Sequence, residues 1–252
     1  MDKQETFRED SLTNYQKDIK LVLWKQLVLF LVGWLGFQLL AFTLSAIVSV
    51  LPNEIFSDSI AIYSKQMLIN SLSYLILAGT LFGILNIDTI KLAKSFAGWK
   101  PYVAAAICVA SIFAFNMIWS SIVSLVDMPV SDNVNQSSLE SIEKVFPFAS
   151  IMIFGIVGPI CEELTYRVGL FSLCKRRSTE LAYFVTIIVF AFIHFNLTSK
   201  PLGLLNEILN LPYYMFAAAA FSFVYHRFGF AASLSAHITN NLISLIIPML
   251  NK

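Results

Sequence analysis

From residue 27 onward the chain alternates between long apolar stretches and short polar ones. A membrane-spanning helix needs about 20 predominantly apolar residues. Seven stretches reach or approach that length, at 27–51, 62–85, 101–126, 145–172, 180–197, 204–225 and 229–250. The pattern predicts an all-α, polytopic transmembrane helical bundle of about seven spans. The second stretch carries Lys65, the fifth is short, and the sixth begins near "NEILNLP", where Pro212 is expected to kink or delay the helix. No fixed-period repeat interrupts the pattern, and no linker is long enough to separate domains. The expected organisation is a polar segment at 1–26, helices within 27–144, and a C-terminal helical part at 145–252.

Composition agrees. Of the 252 residues, 57% are hydrophobic and 13% charged, with a mean hydropathy of +0.72. A soluble domain carries about 25% charged residues, so the lipid bilayer is the expected surroundings, and the 22 Phe residues are expected to face lipid or pack between helices. Net charge is +1, and no Gly-rich phosphate loop or basic stripe suggests a nucleic-acid partner. Cys108, Cys161 and Cys174 follow no disulfide or zinc spacing and read as small buried hydrophobes. The N-terminal "MDKQETFREDSLTNYQKDIK" lacks the layout of a signal peptide, so the first apolar stretch is expected to remain as an anchor.

Lys and Arg orient the spans. Lys3, Arg8, Lys17, Lys20, Lys25, Lys91, Lys94, Lys100, Lys175, Arg176, Arg177 and Arg227 fall on one side. Lys65, Lys144, Lys200 and Lys252 fall on the other. The imbalance predicts a cytoplasmic N-terminus and, with seven spans, a C-terminus outside. The acidic stretch "VDMPVSDNVNQSSLESIEK" would then be an external solvated loop, and its Asn135-Gln136-Ser137 fits a glycosylation acceptor only weakly. "NIDTIKLAKSFAGWK" is expected to lie along the cytoplasmic interface.

Against this apolar background, "CEELTYR" at 161–167 stands out. An ionisable residue inside a span costs about 2.5–3.5 kcal/mol on insertion scales, which makes it a functional candidate. Glu163 and Arg167 are four apart with the acid N-terminal, the favoured order for a helical ion pair. Glu162 lies about 100° around the axis and needs another partner. A cytoplasmic helix end is the plainer explanation of both acids. Two further spans carry "FAFIHF", with Phe190 and His194, and "SAHITNN", with His237 and Asn241. These are two of only three histidines; the third, His226, reads as a solvated loop residue. Counting from the turn near Arg176 puts Glu162 and His194 at depths of about 21 and 27 Å, and from the turn near Phe228 puts His237 and Asn241 at about 14 and 20 Å. All four can meet inside the membrane.

A carboxylate beside a neutral imidazole can take a proton from water. A second histidine and an amide can donate hydrogen bonds to a developing oxyanion. The same groups could instead ligate a divalent metal such as zinc through Glu162, His194 and His237, although no H-E-x-x-H helix is present. No G-x-S-x-G and no Cys–His spacing points to a side-chain nucleophile.

"EELTYR" fits E-E-x-x-x-R, "FAFIH" fits F-x-x-x-H, and "HITNN" fits H-x-x-x-N. In this order on consecutive C-terminal spans they resemble the CPBP family of CAAX prenyl proteases and bacteriocin-processing enzymes, also called the Abi family, which is related to the Ras-converting endopeptidase. The resemblance covers residues 145–250. It implies an intramembrane endopeptidase acting on a membrane-associated, prenylated or otherwise hydrophobic peptide, with the catalytic groups on the four C-terminal spans. Glu162 and His194 would activate water, His237 and Asn241 would form the oxyanion hole, and Glu163, Arg167 and Phe190 would support them. It implies no required cofactor, a bacterial multi-pass membrane setting, and processing, self-immunity or regulation as roles. The competing class is a non-catalytic immunity or regulatory protein that binds another membrane protein. A proton-coupled transporter using Glu162 is disfavoured by the absence of an inverted repeat.

Overall fold

The computed structural model describes residues 21–52, 55, 60–125, 134–196 and 201–250. Most of the polar segment 1–26, and residues 126–133 of the acidic stretch, lie outside these. The described residues are almost entirely helical. They are α1 (Leu23–Ser49), α2 (Ala61–Leu85), α3 (Thr89–Lys94), α4 (Lys100–Leu125), α5 (Val134–Val145), α6 (Pro147–Lys175), α7 (Thr179–Phe192), α8 (Pro201–Phe228) and α9 (Phe230–Leu250). Among the described residues six helices are long and apolar enough to cross a membrane: α1, α2 with α3, α4, α6, α8 and α9. The chain is a multi-pass membrane protein. Exposed side chains such as Leu39, Phe42, Ile107 and Met117 form its lipid-facing surface.

The fifth predicted span is shorter than its sequence suggested. Fourteen residues of α7 rise about 21 Å, less than the hydrocarbon thickness of about 30 Å. Ser178 caps its start, accepting a hydrogen bond from the Leu181 N–H at 3.1 Å.

Burial places α6 at the centre. Of its apolar stretch 56% is buried, against 11% for α1. Leu164, Val168 and Phe171 of α6 pack with Leu29 of α1, Leu77, Leu81 and Leu85 of α2, Ala182 of α7 and Leu234 of α9. A second layer joins Ala104, Ala105 and Cys108 of α4 and Ala232 and Ala236 of α9 to Phe221 and Val224 of α8. Small residues suit this role, because in lipid the association of helices depends on close backbone approach. Cys108 and Cys161 are buried in these layers, as their apolar surroundings suggested.

Glycine sets the approach of α1 to α6. A Cβ on Gly169 would lie 2.9 Å from the Phe30 backbone nitrogen, and one on Gly33 would land on the Thr165 side chain. At the basic end of the bundle, Asp88 joins Lys25 at 2.5 Å and Lys91 at 2.7 Å. Arg176 donates to the Gln26 side chain and to the Leu21 carbonyl.

Three local expectations are corrected. The acidic stretch is not a solvated loop over 134–145: it is helix α5, which buries Ile142 against Met67 and Ile153. Pro212 does not delay the sixth span, since α8 starts at Pro201 and runs through it. Proline has no N–H and disturbs the carbonyls one turn back, and there the Trp119 indole N–H donates to the Leu209 carbonyl at 2.8 Å. His226 is not a solvated loop residue. It closes α8, half-buried, with its ring near Phe171 and its Nδ1 3.2 Å from the Tyr183 hydroxyl.

Candidate active site

The local structure of α6 prepares the site. Pro159 cannot donate a backbone hydrogen bond, and the helix widens into a π-turn at Ile153–Val157 just before it. There the Gly158 N–H bonds to the Ile153 carbonyl. The Phe154 carbonyl therefore has a proline where its π-helical donor would be. Asn241 of α9 fills that place, its amide donating to the Phe154 oxygen at 3.1 Å. A second, longer π-segment covers Glu163–Phe171. Such widenings recur at functional sites because they re-aim side chains.

Glu163 and Arg167 are both fully buried. Arg167 Nε lies 3.5 Å from Glu163 Oε2, so the ion pair expected from the spacing is present. The guanidinium also lies over the Phe190 ring at 4.6 Å and near Phe221 at 5.6 Å, a cation–π arrangement. Glu163 has two further partners: the Ser233 hydroxyl donates to Oε2, and His237 Nδ1 lies 2.8 Å from Oε1. Three groups of α6 and α9 thus converge on one carboxylate.

Glu162 is the more accessible acid, with 19% of its side chain exposed. Its Oε2 lies 3.7 Å from His237 Nε2. One imidazole therefore stands between both glutamates. The ring stacks on Phe221, with centroids 4.5 Å apart and planes at 20°.

His194 sits in the turn just beyond α7 rather than within a helix. Its Nδ1 lies 2.8 Å from the Phe190 carbonyl. A carbonyl only accepts, so Nδ1 carries the proton and the basic lone pair of the neutral ring is on Nε2. The ring stacks on Tyr214, with centroids 4.5 Å apart and planes at 14°. Phe190 lies against both histidines, at 5.0 Å from His194 and 6.0 Å from His237.

A cavity of about 610 Å³ opens beside these groups, and both Glu162 and His194 line it. Trp34 and Phe37 of α1, Tyr74 of α2, Tyr166 of α6 and Phe192 of α7 form its aromatic wall. His237 is only 3% exposed and is not among the residues that line the cavity. The structure thus brings Glu162 and His194 to one cavity, Glu163, Arg167 and His237 to one buried cluster, and Asn241 to the α6 backbone beside it. Among the described residues no group of three His, Cys, Asp or Glu side chains is placed to hold a metal ion. Spacing alone missed Ser233, Phe221 and Tyr214. Ser233 left a trace, lying one helical turn before His237 on the same face.

The fold and site define a class: a multi-pass α-helical membrane protein with a carboxylate–imidazole cluster at the centre of its bundle. Residues 144–243 match the family model of the Rce1-like type II CAAX prenyl endopeptidases. That segment is less than half of the chain, and its similarity to the Rce1-like family agrees with the resemblance of the chain's motifs to the CPBP proteins. Among curated proteins it is similar to the UPF0177 protein YvdC of Lactococcus lactis subsp. lactis (strain IL1403), 28% identical over 118 residues. It is also similar to the UPF0177 protein in the abiGi 5' region of Lactococcus lactis subsp. cremoris, 31% identical over 112 residues. These matches take in 47% and 44% of this chain and span 42% and 43% of the relatives' own lengths. No solved structure matches the chain significantly.

Proposed function

We propose that the protein is an intramembrane endopeptidase that hydrolyses a peptide bond in a hydrophobic, membrane-associated or prenylated peptide. One observation carries the reading: Glu162, the accessible acid of the pair, shares an aromatic-walled cavity with His194. Glu162 takes a proton from a water molecule held between it and His194 Nε2. The water oxygen bonds to the peptide carbonyl carbon, the carbonyl electrons move to oxygen, and the C–N bond then breaks. The proton on Glu162 passes to the leaving nitrogen. His237 lies beside Glu162, with Nδ1 held on Glu163. Asn241 spends one amide N–H on Phe154 and has a second. The second Asn241 N–H donates to the oxyanion, and His237, with Nδ1–H given to Glu163, adds a donor at Nε2 as the doubly protonated imidazolium. The scheme balances without a resident metal, so a chelator should leave turnover unchanged.

The family's activity supports this reading, and the two relatives suggest a bacterial cell membrane as the setting. The basic end of the bundle, with Lys91, Arg176 and Arg227, faces the cytoplasm under the positive-inside rule. A second reading, a non-catalytic membrane partner, is favoured by the burial of His237 away from the cavity lining. Comparing the membrane-peptide profiles of cells carrying wild-type and Glu162→Ala protein separates the two. Peptides that shorten only in wild-type cells support the peptidase; identical profiles with retained biological effect support the partner.

A further inference from the structure

Glu207 lies outside every motif yet is 2% exposed. A carboxylate buried in an apolar bundle is expensive unless it is hydrogen-bonded, and the two oxygens of Glu207 are used separately. Oε1 accepts from the Val134 backbone N–H at 2.9 Å, one of the otherwise unpaired donors at the start of α5. Oε2 accepts from the Asn196 N–H at 3.1 Å, where the chain leaves α7. Val134 adjoins Asn135, and Asn196 follows His194 by two residues. Asn135 and His194 both line the cavity that holds Glu162. Two residues further along α8, Trp119 of α4 is bonded to the Leu209 carbonyl, which ties this stretch of the helix to α4.

We infer that Glu207 is a positioning residue for the hydrolytic site, an inference that rests on the peptidase reading above. It acts as a two-point clamp: one oxygen holds the start of α5 and the other holds the turn that carries His194, which together fix one end of the cavity. His194 has no helix of its own to hold it, because α7 ends at Phe192. The Glu207 clamp and the Phe190 carbonyl fix the turn and the ring, respectively. A glutamine cannot replace the clamp. Its amide offers one acceptor and one donor, so one of the two backbone N–H groups would face an NH₂.

The test compares wild-type, Glu207→Gln and Glu207→Ala proteins in liposomes by two readouts. Amide hydrogen exchange, read by mass spectrometry, should accelerate at least about tenfold at Val134 and Asn196 and stay unchanged through α4, α6 and α9. Cleavage of fluorogenic peptides bearing a farnesylated cysteine three residues from the C-terminus should show kcat per folded molecule lower by about 10²-fold, as expected for a small misplacement of a reacting group. KM should change less than about threefold. Unchanged exchange at both amides overturns the clamp. Faster exchange with unchanged kcat overturns the positioning role. If wild-type protein cleaves no probe while the variants still exchange faster, the peptidase reading fails and Glu207 is a structural clamp alone.

Discussion

Glu162 and Glu163 are neighbours in the chain with opposite surroundings, and their substitution should fail in different ways. Glu163 is fully buried and engages Arg167, Ser233 and His237. Glu163→Gln would leave the Arg167 guanidinium buried without its counter-charge, a loss of about 3–5 kcal/mol, visible as a lower unfolding temperature in detergent. Exchanging the two residues should not rescue it, because Ser233 and His237 would then face a guanidinium. Asn241→Ala should lower both stability and turnover: it removes the proposed oxyanion donor, worth about 10²–10³-fold in kcat, and strips the Phe154 carbonyl of its partner, about 1–3 kcal/mol. His237→Ala should cut kcat by a similar factor. The Glu163–Arg167 pair was legible from a spacing of four. The sharing of His237 by both glutamates was not, because residues adjacent on an α-helix point about 100° apart, and the π-turns that re-aim α6 depend on Pro159 and on Asn241 from another helix.

Among the elements, α1 is the least buried of the long apolar helices and rests on α6 through two glycines. Gly169→Ala would push a methyl into the Phe30 backbone, which cannot swing aside as a side-chain end can, at a cost of about 1–3 kcal/mol. The measurement is thermal unfolding, and the larger shift should fall on Gly169→Ala rather than on Gly36→Ala, whose nearest neighbour is a Val32 methyl at 3.5 Å. Trp119→Phe removes the donor to Leu209 in the proline-bearing helix and should cost about 0.6–1.7 kcal/mol, the range for interhelical hydrogen bonds in membranes. Long apolar stretches made most helices legible in advance. Helix α5 was not, since "VNQSSLESIEKV" is polar and Ser-rich, and its helical state depends on burying Ile142 between distant residues. The early end of α7 was equally hidden, because "FAFIHF" continues the apolar pattern past the point where the backbone turns.

For the whole molecule, the proposed direction in the membrane and the proposed chemistry each have a direct test. In intact cells an impermeant thiol reagent should label Ser137→Cys on α5, and should reach Arg177→Cys at the α6–α7 turn only after lysis. The reverse pattern would invert the bundle. The peptidase claim itself is tested most directly by purified wild-type and Glu162→Gln proteins in liposomes, with cleavage of the farnesylated peptides and unfolding temperature read on the same preparations. The amide keeps the shape of the side chain and removes the base. The account predicts that Glu162→Gln inserts and unfolds like wild type while cleavage falls to background. Cleavage by Glu162→Gln at the wild-type rate would contradict it.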